Sequence, residues 1–316
     1  MKLKVKWEFS LGLLVVVVGL GFPRLALAAT PPELSVSPFL QEIKIGANDP
    51  AKSFSVQFSN DSDQSQELEI SVADFGSLDQ TGGVLFVGSK FSQLLDKYTL
   101  AHWLTLSADS LNLAAHQKAL VTATINNDSS LAPGGHYAAI VATLLSQSGG
   151  GKNQVSVKQK ISSLVLATKT GGERYDLRLE KIQQNGSFVN LPDQVALTFK
   201  DPGNTHVVPR GIVYLKDNGG KIIKKGIINE QSGYVLPSSD RVFMVDLKKI
   251  TLPNFWNRSY KLQVDYRYDG FNKYASKQIK VSVLNPVLIA LLAIVLVVAL
   301  LGWKNKKRLY RIYRNK

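Results

Sequence analysis

The feature that most constrains this chain is a strict alternation of apolar and polar residues in short runs. Residues 54–58 read Phe-Ser-Val-Gln-Phe, and residues 68–72 alternate again after a polar turn at 59–63. A period of two places successive side chains on opposite faces of a β-strand, so one face of each run is suited to burial. The two runs therefore predict a β-hairpin with one buried face.

Runs of this kind recur along the chain and fall into two sets. They predict an all-β fold of two tandem immunoglobulin-like Greek-key sandwiches, over residues 30–170 and 175–284. Gly171-Gly172 interrupts the pattern, so residues 171–174 are predicted as a linker. Within the second set, the sequence Asp-Asn-Gly-Gly at 217–220 predicts a tight turn between two strands.

An insertion at residues 76–102 breaks the strand pattern of the first sandwich. Its residues Phe91, Leu94, Leu95 and Tyr98 have the spacing of one helical face, which predicts a short helix over 90–98. The segment is long for a hairpin loop, and long loops either carry function or pack on their own side chains. The helix face could simply plug the end of the sandwich. The alternative is a recognition surface, for which Phe86, Lys90 and Gln93 are the candidate residues.

The N-terminus has the pattern of a secretory signal. A lysine-bearing start leads into an apolar run at 11–22, and Ala26-Leu27-Ala28 supplies the small residues that a signal peptidase accepts. The sequence predicts a signal peptide over 1–29, with an uncleaved anchor as the alternative.

The C-terminus predicts a membrane anchor. Residues 281–303 contain no charge, and residues 304–316 carry seven Lys and Arg and no acid. Positive charge resists translocation. We therefore expect a transmembrane helix over 285–303, a basic cytoplasmic tail over 304–316, and a single-pass protein of the cell membrane with residues 30–284 outside. The absence of cysteine from the exterior favours a bacterial source.

The charge and the reactive residues exclude several functions. The formal net charge is +14, of which the first 29 residues contribute +3 and the last thirteen +7, leaving +4 for the rest. We therefore expect no nucleic-acid partner. The four histidines are isolated from one another, and the sequence contains no nucleophile elbow and no thiol. No catalytic residue, cofactor or metal is predicted, and the protein is interpreted as a non-enzyme.

Several phrases carry a family resemblance. They are Leu-Ala-Pro-Gly-Gly-His-Tyr-Ala-Ala-Ile at 131–140, Trp-Leu-Thr-Leu at 103–106 and Val-Gln-Phe-Ser-Asn at 56–60 in the first half, with the segments at 204–211 and 235–241 in the second. Together they resemble the bacterial surface proteins that partner WxL-type cell-wall proteins. That resemblance implies a peptidoglycan-binding immunoglobulin-like domain, a second sandwich, one transmembrane helix and a basic tail.

Two functions remain open from the sequence. The first is non-enzymatic binding or scaffolding at the cell envelope, with the membrane as anchor and peptidoglycan or a partner surface protein as ligand. The second is a chaperone-like assembly factor that captures extended segments of secreted proteins by β-strand addition. A free, apolar sheet edge would favour the second function.

Overall fold

In the computed structural model, the described residues are 34–86, 96–145, 159–186, 190–253, 259–283 and 286–314. Within these ranges the chain forms eighteen β-strands and one α-helix, α1 (Pro286–Arg314). The predicted β-rich class is therefore confirmed. The predicted signal peptide lies outside the described residues.

The first sandwich contains ten strands. They are β1 (Leu34–Ser37), β2 (Leu40–Ile45), β3 (Ala51–Asn60), β4 (Gln66–Ser77), β5 (Val84–Phe86), β6 (Leu104–Leu106), β7 (Ser110–Leu113), β8 (Lys118–Asn126), β9 (Gly134–Leu144) and β10 (Lys160–Lys169). One sheet has the order β1-β3-β8-β6 and the other the order β2-β10-β9-β4, with β5 and β7 both paired to β4. Apolar side chains from both sheets form the core between them.

The chain changes sheets between β1 and β2. β1 pairs antiparallel with β3 in the four-stranded sheet, whereas β2 pairs parallel with β10 in the opposite sheet. Pro38 stands at this crossing, where its missing N–H is not needed by either ladder. As a result β2 becomes the edge strand of the six-stranded sheet.

The predicted hairpin between residues 54–58 and 68–72 is wrong. Both runs are strands, but β3 pairs with β1 and β8, while β4 pairs with β5, β7 and β9 in the other sheet. The alternation identified the buried face of each strand correctly. It carried no information on which strand would be its neighbour.

The second sandwich contains eight strands. They are β11 (Arg178–Gln184), β12 (Gln194–Lys200), β13 (Arg210–Asp217), β14 (Ile222–Ile228), β15 (Asp240–Asp246), β16 (Lys248–Lys249), β17 (Ser259–Tyr268) and β18 (Phe271–Ser282). A three-stranded sheet, β11-β12-β15, packs on a five-stranded sheet, β16-β14-β13-β17-β18, around a second apolar core. The predicted tight turn at 217–220 joins β13 to β14 and is confirmed: Gly220 has φ +83° and donates its N–H to the Asp217 carbonyl at 3.1 Å. The predicted linker, 171–174, lies in the connection between β10 and β11.

The insertion at 76–102 forms little regular structure in its described part. β4 extends to Ser77, a turn leads into β5, and two short 3₁₀ turns cover 96–98 and 101–103. Of the predicted helix face, Phe91, Leu94 and Leu95 lie outside the described residues. Tyr98 is only 5% exposed and ends the first 3₁₀ turn.

The C-terminal helix departs from the sequence prediction. A crossing of the bilayer core needs about 20 consecutive apolar residues in a helix. Among the described residues, no helix combines the length and the hydropathy that this requires. This finding contradicts the predicted transmembrane helix over 285–303, and with it the single-pass membrane localisation and the cytoplasmic tail.

Candidate functional site: an open sheet edge beside a cleft

The strongest candidate for a binding site is the edge of the six-stranded sheet formed by β2 and β10. β10 pairs with β9 along its whole length, from Lys160 to Lys169. On its other side it pairs with β2 only from Leu164 onward. A notch four residues long, at 160–163, therefore lacks a paired strand at the edge of the sheet in the described part of the chain; at the β2 end of the notch, the Ser163 hydroxyl donates to the Pro38 carbonyl at 2.7 Å.

The direction of the main chain shows which groups face this notch. Leu164 donates its N–H to the carbonyl of Phe39 at 2.8 Å, so its main-chain groups point toward β2. Main-chain direction alternates along a strand, so those of Lys160 and Ser162 point to the same side. Among the described residues nothing pairs with them there. The N–H and C=O of Ser162 are thus positioned to accept an added strand.

The free side of β2 continues the same edge. The carbonyl of Phe39 accepts a hydrogen bond from Leu164 of β10, and that of Ile45 accepts one from Thr170, the residue after β10. By alternation, the main-chain groups of Leu40, Glu42 and Lys44 point away from β10, and no described strand pairs with that side of β2. Together the notch and β2 form one edge, which we call the open edge (160–163 and 40–45).

Apolar side chains lie along the open edge. The ring of Phe39 is 73% exposed where the notch begins. Leu40 and Leu164 are half-buried and pack on the outer face of the sheet, against the apolar cluster that includes Tyr137. An apolar, unpaired edge is the kind of surface that proteins otherwise protect with charge or proline.

A cleft between the two sandwiches adjoins the edge at β2. Both sandwiches belong to one compact unit. The cleft has a volume of about 280 Å³ and is lined by Glu42, Ile43, Lys44, Thr168, Tyr175, His206 and Asp269. A chain lying along β2 would therefore reach this polar cleft.

The cleft is held in place by a loop of the second sandwich that docks on the first. The main-chain N–H of Gly135 donates to the Asn204 carbonyl at 2.8 Å. The Asn204 side chain accepts from the N–H of Arg174 at 2.6 Å and donates to the carbonyl of Gly172 at 3.0 Å. Gly134, at φ +124°, leaves room for this approach, because a Cβ there would lie 2.8 Å from the Asn204 carbonyl oxygen. The Pro-Gly-Gly phrase of the sequence thus serves the contact between the sandwiches.

A chain of hydrogen bonds crosses the same interface. The hydroxyl of Tyr137 lies 3.3 Å from Nδ1 of His206, and Nε2 of His206 lies 3.0 Å from Oε1 of Glu42. With the proton on Nε2, the ring donates to the carboxylate and accepts from the tyrosine. The hydrogen bond from His206 is the main cause that lowers the pKa of Glu42, while burial raises the pKa of Tyr137 well above its usual value. A buried, un-ionised tyrosine makes this chain suited to bracing the interface.

The other histidines occupy separate positions. His136 is 3% exposed, and its two ring nitrogens lie 2.9 and 2.8 Å from the carbonyls of Thr99 and Ala132. His116 contacts Asp63 at 2.9 Å on the surface. Among the described residues, no group of three His, Asp or Glu side chains is arranged to hold a metal ion.

The structure places one of the three predicted recognition residues. Phe86 ends β5, where it is half-buried and its ring meets that of Phe75 edge-on at 6.4 Å. Lys90 and Gln93 lie outside the described residues. A recognition role for these three residues stays a prediction.

The described part of the insertion contacts the second sandwich. The carbonyl of Gln80 accepts from the N–H of Val242 at 2.7 Å, and the hydroxyl of Tyr98 lies 3.1 Å from that of Ser238. Gly82 lies against the Arg241 guanidinium, with no room for a side chain. Sequence reasoning missed this contact, and it missed the open edge, because both depend on which strands become neighbours.

The comparisons with known proteins give distant likenesses only. No family model matches the chain, and no curated protein matches it. Solved structures with a similar fold include a chaperone–tip adhesin complex of CFA/I fimbriae (12% identity, 78% of this chain and 97% of that chain, TM-score 0.43). The class 5 fimbriae chaperone CfaA (11%, 78% and 98%, 0.39) and a Salmonella enterica SafA pilin–SafB chaperone complex (9%, 81% and 99%, 0.36) are further examples. At these identities and TM-scores, none of them establishes what this chain binds. The resemblance to WxL-interacting proteins stays a prediction.

Proposed function

We propose that this protein is a non-enzymatic, chaperone-like assembly factor that binds an extended segment of a partner protein by β-strand addition at the open edge. The observation that carries the proposal is the incomplete pairing of β10: on the β2 side, no strand in the described part of the chain pairs with the main chain of Ser162. Of the two functions that the sequence left open, the open edge favours the second.

The physical basis is the pairing of main-chain groups. Each added hydrogen bond contributes about 0.5–1.5 kcal/mol net, and a strand spanning the notch forms several of them. Main-chain pairing gives affinity without sequence preference, and side-chain contacts at alternate positions supply the selectivity. Here Phe39, Leu40 and Leu164 offer apolar contacts, so we expect bound segments to carry apolar residues at every second position.

The place of the bound segment in the sheet follows from the position of β2. β2 runs parallel to β10, and the notch lies where a strand preceding β2 in that row would stand. A bound segment therefore fills the gap left when the chain crosses to the other sheet at Pro38. Its end nearest β2 would lie against the exposed ring of Phe39.

The test uses a substitution that removes one main-chain N–H from the open edge and keeps the pairing of β10 with β9. Ser162→Pro deletes the N–H that faces the notch, while pairing with β9 uses the residues on either side. Ser162→Ala is the matched control because it keeps the N–H. The probe is a displayed library of 12-residue peptides, selected on the full chain and then synthesised for binding measurements.

The proposal predicts that selected peptides alternate apolar and polar residues and protect the Ser162 amide from hydrogen exchange. Ser162→Pro should weaken their binding at least tenfold, and Ser162→Ala should leave it within twofold of the parent. Both variants should keep the thermal unfolding midpoint of the parent within a few degrees. Equal binding by Ser162→Pro and the parent would contradict strand addition at this edge.

A further inference from the structure

The outer face of the five-stranded sheet carries a row of three lysines that the sequence alone does not bring together. Lys216 of β13 is opposite Lys261 of β17, and Lys261 is opposite Lys280 of β18. Neighbouring strands lie about 4.8 Å apart, so the three Cα atoms span roughly 10 Å. Like charges directly opposite one another in a sheet are destabilising. The lysine row (216, 261, 280) thus costs stability in the isolated protein.

The acidic side chains nearest to the lysine row in the sequence, Asp217 and Asp265, form hydrogen bonds with other groups. Oδ1 of Asp217 accepts from the N–H of Lys221 at 2.9 Å, within its own turn. Both carboxylate oxygens of Asp265 accept from the Gln263 side chain, at 2.9 and 2.8 Å. Within the described part of the chain, no ion pair involves any of the three lysines of the row. Their positive charge is therefore available to a ligand.

The charge around the row has the same sign over a wider area. Lys225 of β14 and Lys248 of β16 are opposite each other on the same face, one row further along the strands. Residues 175–283 contain 17 Lys and Arg against 10 Asp and Glu, a formal charge of +7, whereas residues 30–174 contain 10 against 13, a formal charge of −3. The positive charge of the folded part is thus concentrated in the second sandwich.

We propose that the lysine row is a binding site for a linear polymer that has repeated phosphate groups and no nucleobases. A straight row of cations on a flat face matches a chain of recurring anions better than a single small anion. Lysine binds phosphate as a compact point charge on a flexible stem, so the row can follow the varying phosphate positions of a flexible chain. This site lies on β13, β17 and β18, none of which forms the open edge, and it does not depend on the proposed strand addition.

The polar groups beside the row suit such a polymer. Nζ of Lys216 donates to Oε1 of Gln263 at 2.9 Å, and the Gln278 amide donates to the same oxygen at 3.2 Å. Lys261, Lys280 and Gln278 line a shallow depression with Asn218 and Ser259. Polar side chains thus surround two of the three lysines of the row. The row offers no series of aromatic rings on which the bases of a single-stranded nucleic acid could stack.

The experiment measures binding of long-chain inorganic polyphosphate to the full chain as a function of salt. The test variant is Lys261→Gln/Lys280→Gln, which removes two charges from the row. The matched control is Lys52→Gln/Lys118→Gln, which removes two exposed strand lysines from β3 and β8 of the first sandwich. Poly-L-glutamate and a single-stranded oligonucleotide are the competing probes.

We expect the parent and the control to bind polyphosphate alike. The test variant should bind at least tenfold more weakly, and the slope of log K against log salt should fall by about 1.4, near 0.7 for each lost contact with a flexible chain. Its unfolding midpoint should be unchanged or higher, because like-charge repulsion is relieved. An equal loss of binding in both variants, or none in the test variant, would overturn the assignment of the site. Binding of poly-L-glutamate or of the oligonucleotide as tight as that of polyphosphate would overturn the assignment of the ligand.

Discussion

Nε2 of His206 lies 3.0 Å from Oε1 of Glu42, and this contact joins the second sandwich to the edge strand of the first. His206 is only 5% exposed, whereas the Glu42 side chain is 57% exposed and lines the cleft. The histidine ring also meets the ring of Tyr234 edge-on at 5.4 Å. β2, which forms half of the open edge, is thus positioned partly by a residue outside its own sandwich.

Replacement of Tyr137 by Phe tests the buried hydrogen bond on the other side of the His206 ring. The substitution removes the hydroxyl that faces Nδ1 of His206 and leaves a buried nitrogen without its partner. We expect the free energy of unfolding to fall by about 1–3 kcal/mol. Urea denaturation of Tyr137→Phe and of Tyr274→Phe, whose side chain is 62% exposed, provides the comparison. Equal effects of the two substitutions would show that the buried hydrogen bond has no special weight.

The free energy of unfolding at acidic pH tests the hydrogen bond between His206 and the exposed Glu42 carboxylate. The hydrogen bond from His206 chiefly holds the pKa of Glu42 below its ordinary value of 4.5; Tyr234 and the Arg210 charge add to this shift, while burial opposes it. A depressed pKa means that the stabilisation is present above the unfolded value and is lost as the pH falls through the folded one. Glu42→Gln should therefore flatten the loss of stability below about pH 4.5. Because Glu42 is more than half exposed, we expect less than about 1 kcal/mol at pH 7.

Denaturation at several pH values from 3 to 7 provides the measurement, with Glu69→Gln as the control. Glu69 is an exposed residue of β4 on the same sheet and forms no ion pair among the described residues. A pH profile of Glu42→Gln that superimposes on that of the parent would contradict the role of this carboxylate.

The strands could be predicted from the sequence because burial of one face is a local property. β3, β4, β8 and β12 all show the alternation in their own residues, and the turn at 217–220 shows its glycines. Pairing is not local. β3 takes β8 as its neighbour some sixty residues later, and nothing within residues 54–58 records that choice.

The candidate site was not predictable for the same reason. An edge exists only where a neighbour is absent, and the open position beside Ser162 depends on where the chain leaves the sheet at Pro38. The two glycines at 134–135 stand out in the sequence as part of the phrase at 131–140. The reason that glycine is needed there is the close approach of Asn204 from a loop seventy residues later, which becomes visible only in the folded chain.

Gly134→Ala tests this close approach. Gly134 has φ +124°, and a Cβ would lie 2.8 Å from the backbone oxygen of Asn204. Gly220→Ala is the matched control, because Gly220 also has a positive φ, +83°, but nothing lies within 4 Å of its Cβ position. Both substitutions introduce backbone strain of about 1 kcal/mol. We expect Gly134→Ala to cost at least about 1 kcal/mol more than Gly220→Ala in urea denaturation, because the loop that docks the second sandwich must also shift. Equal costs would show that the interface absorbs the methyl group without strain.

Asp201 is expected to give the free energy of unfolding a pH dependence opposite in sign to that from Glu42. Asp201 is fully buried. Its Oδ1 accepts from the N–H of Gly203 at 2.7 Å, and its Oδ2 has no hydrogen-bond partner among the described residues. Burial raises the pKa of Asp201 from 3.8 to about 8; the charge of Asp176 adds to the rise, while the Gly203 hydrogen bond and the Arg174 charge oppose it.

A raised pKa means that the folded state prefers the neutral carboxyl group. The resulting penalty is absent below about pH 3.8, grows as the pH rises, and is complete above about pH 8. Asp201→Asn is neutral at every pH and keeps an oxygen for the Gly203 N–H. We therefore expect the variant to match the parent near pH 4 and to exceed its free energy of unfolding by about 1–3 kcal/mol at pH 8. Urea denaturation between pH 4 and 9 measures the difference, with Asp240→Asn at the partly exposed start of β15 as the control. A variant that is less stable than the parent at pH 8, or a difference that does not change with pH, would show that Asp201 is ionised and stabilised in the folded protein.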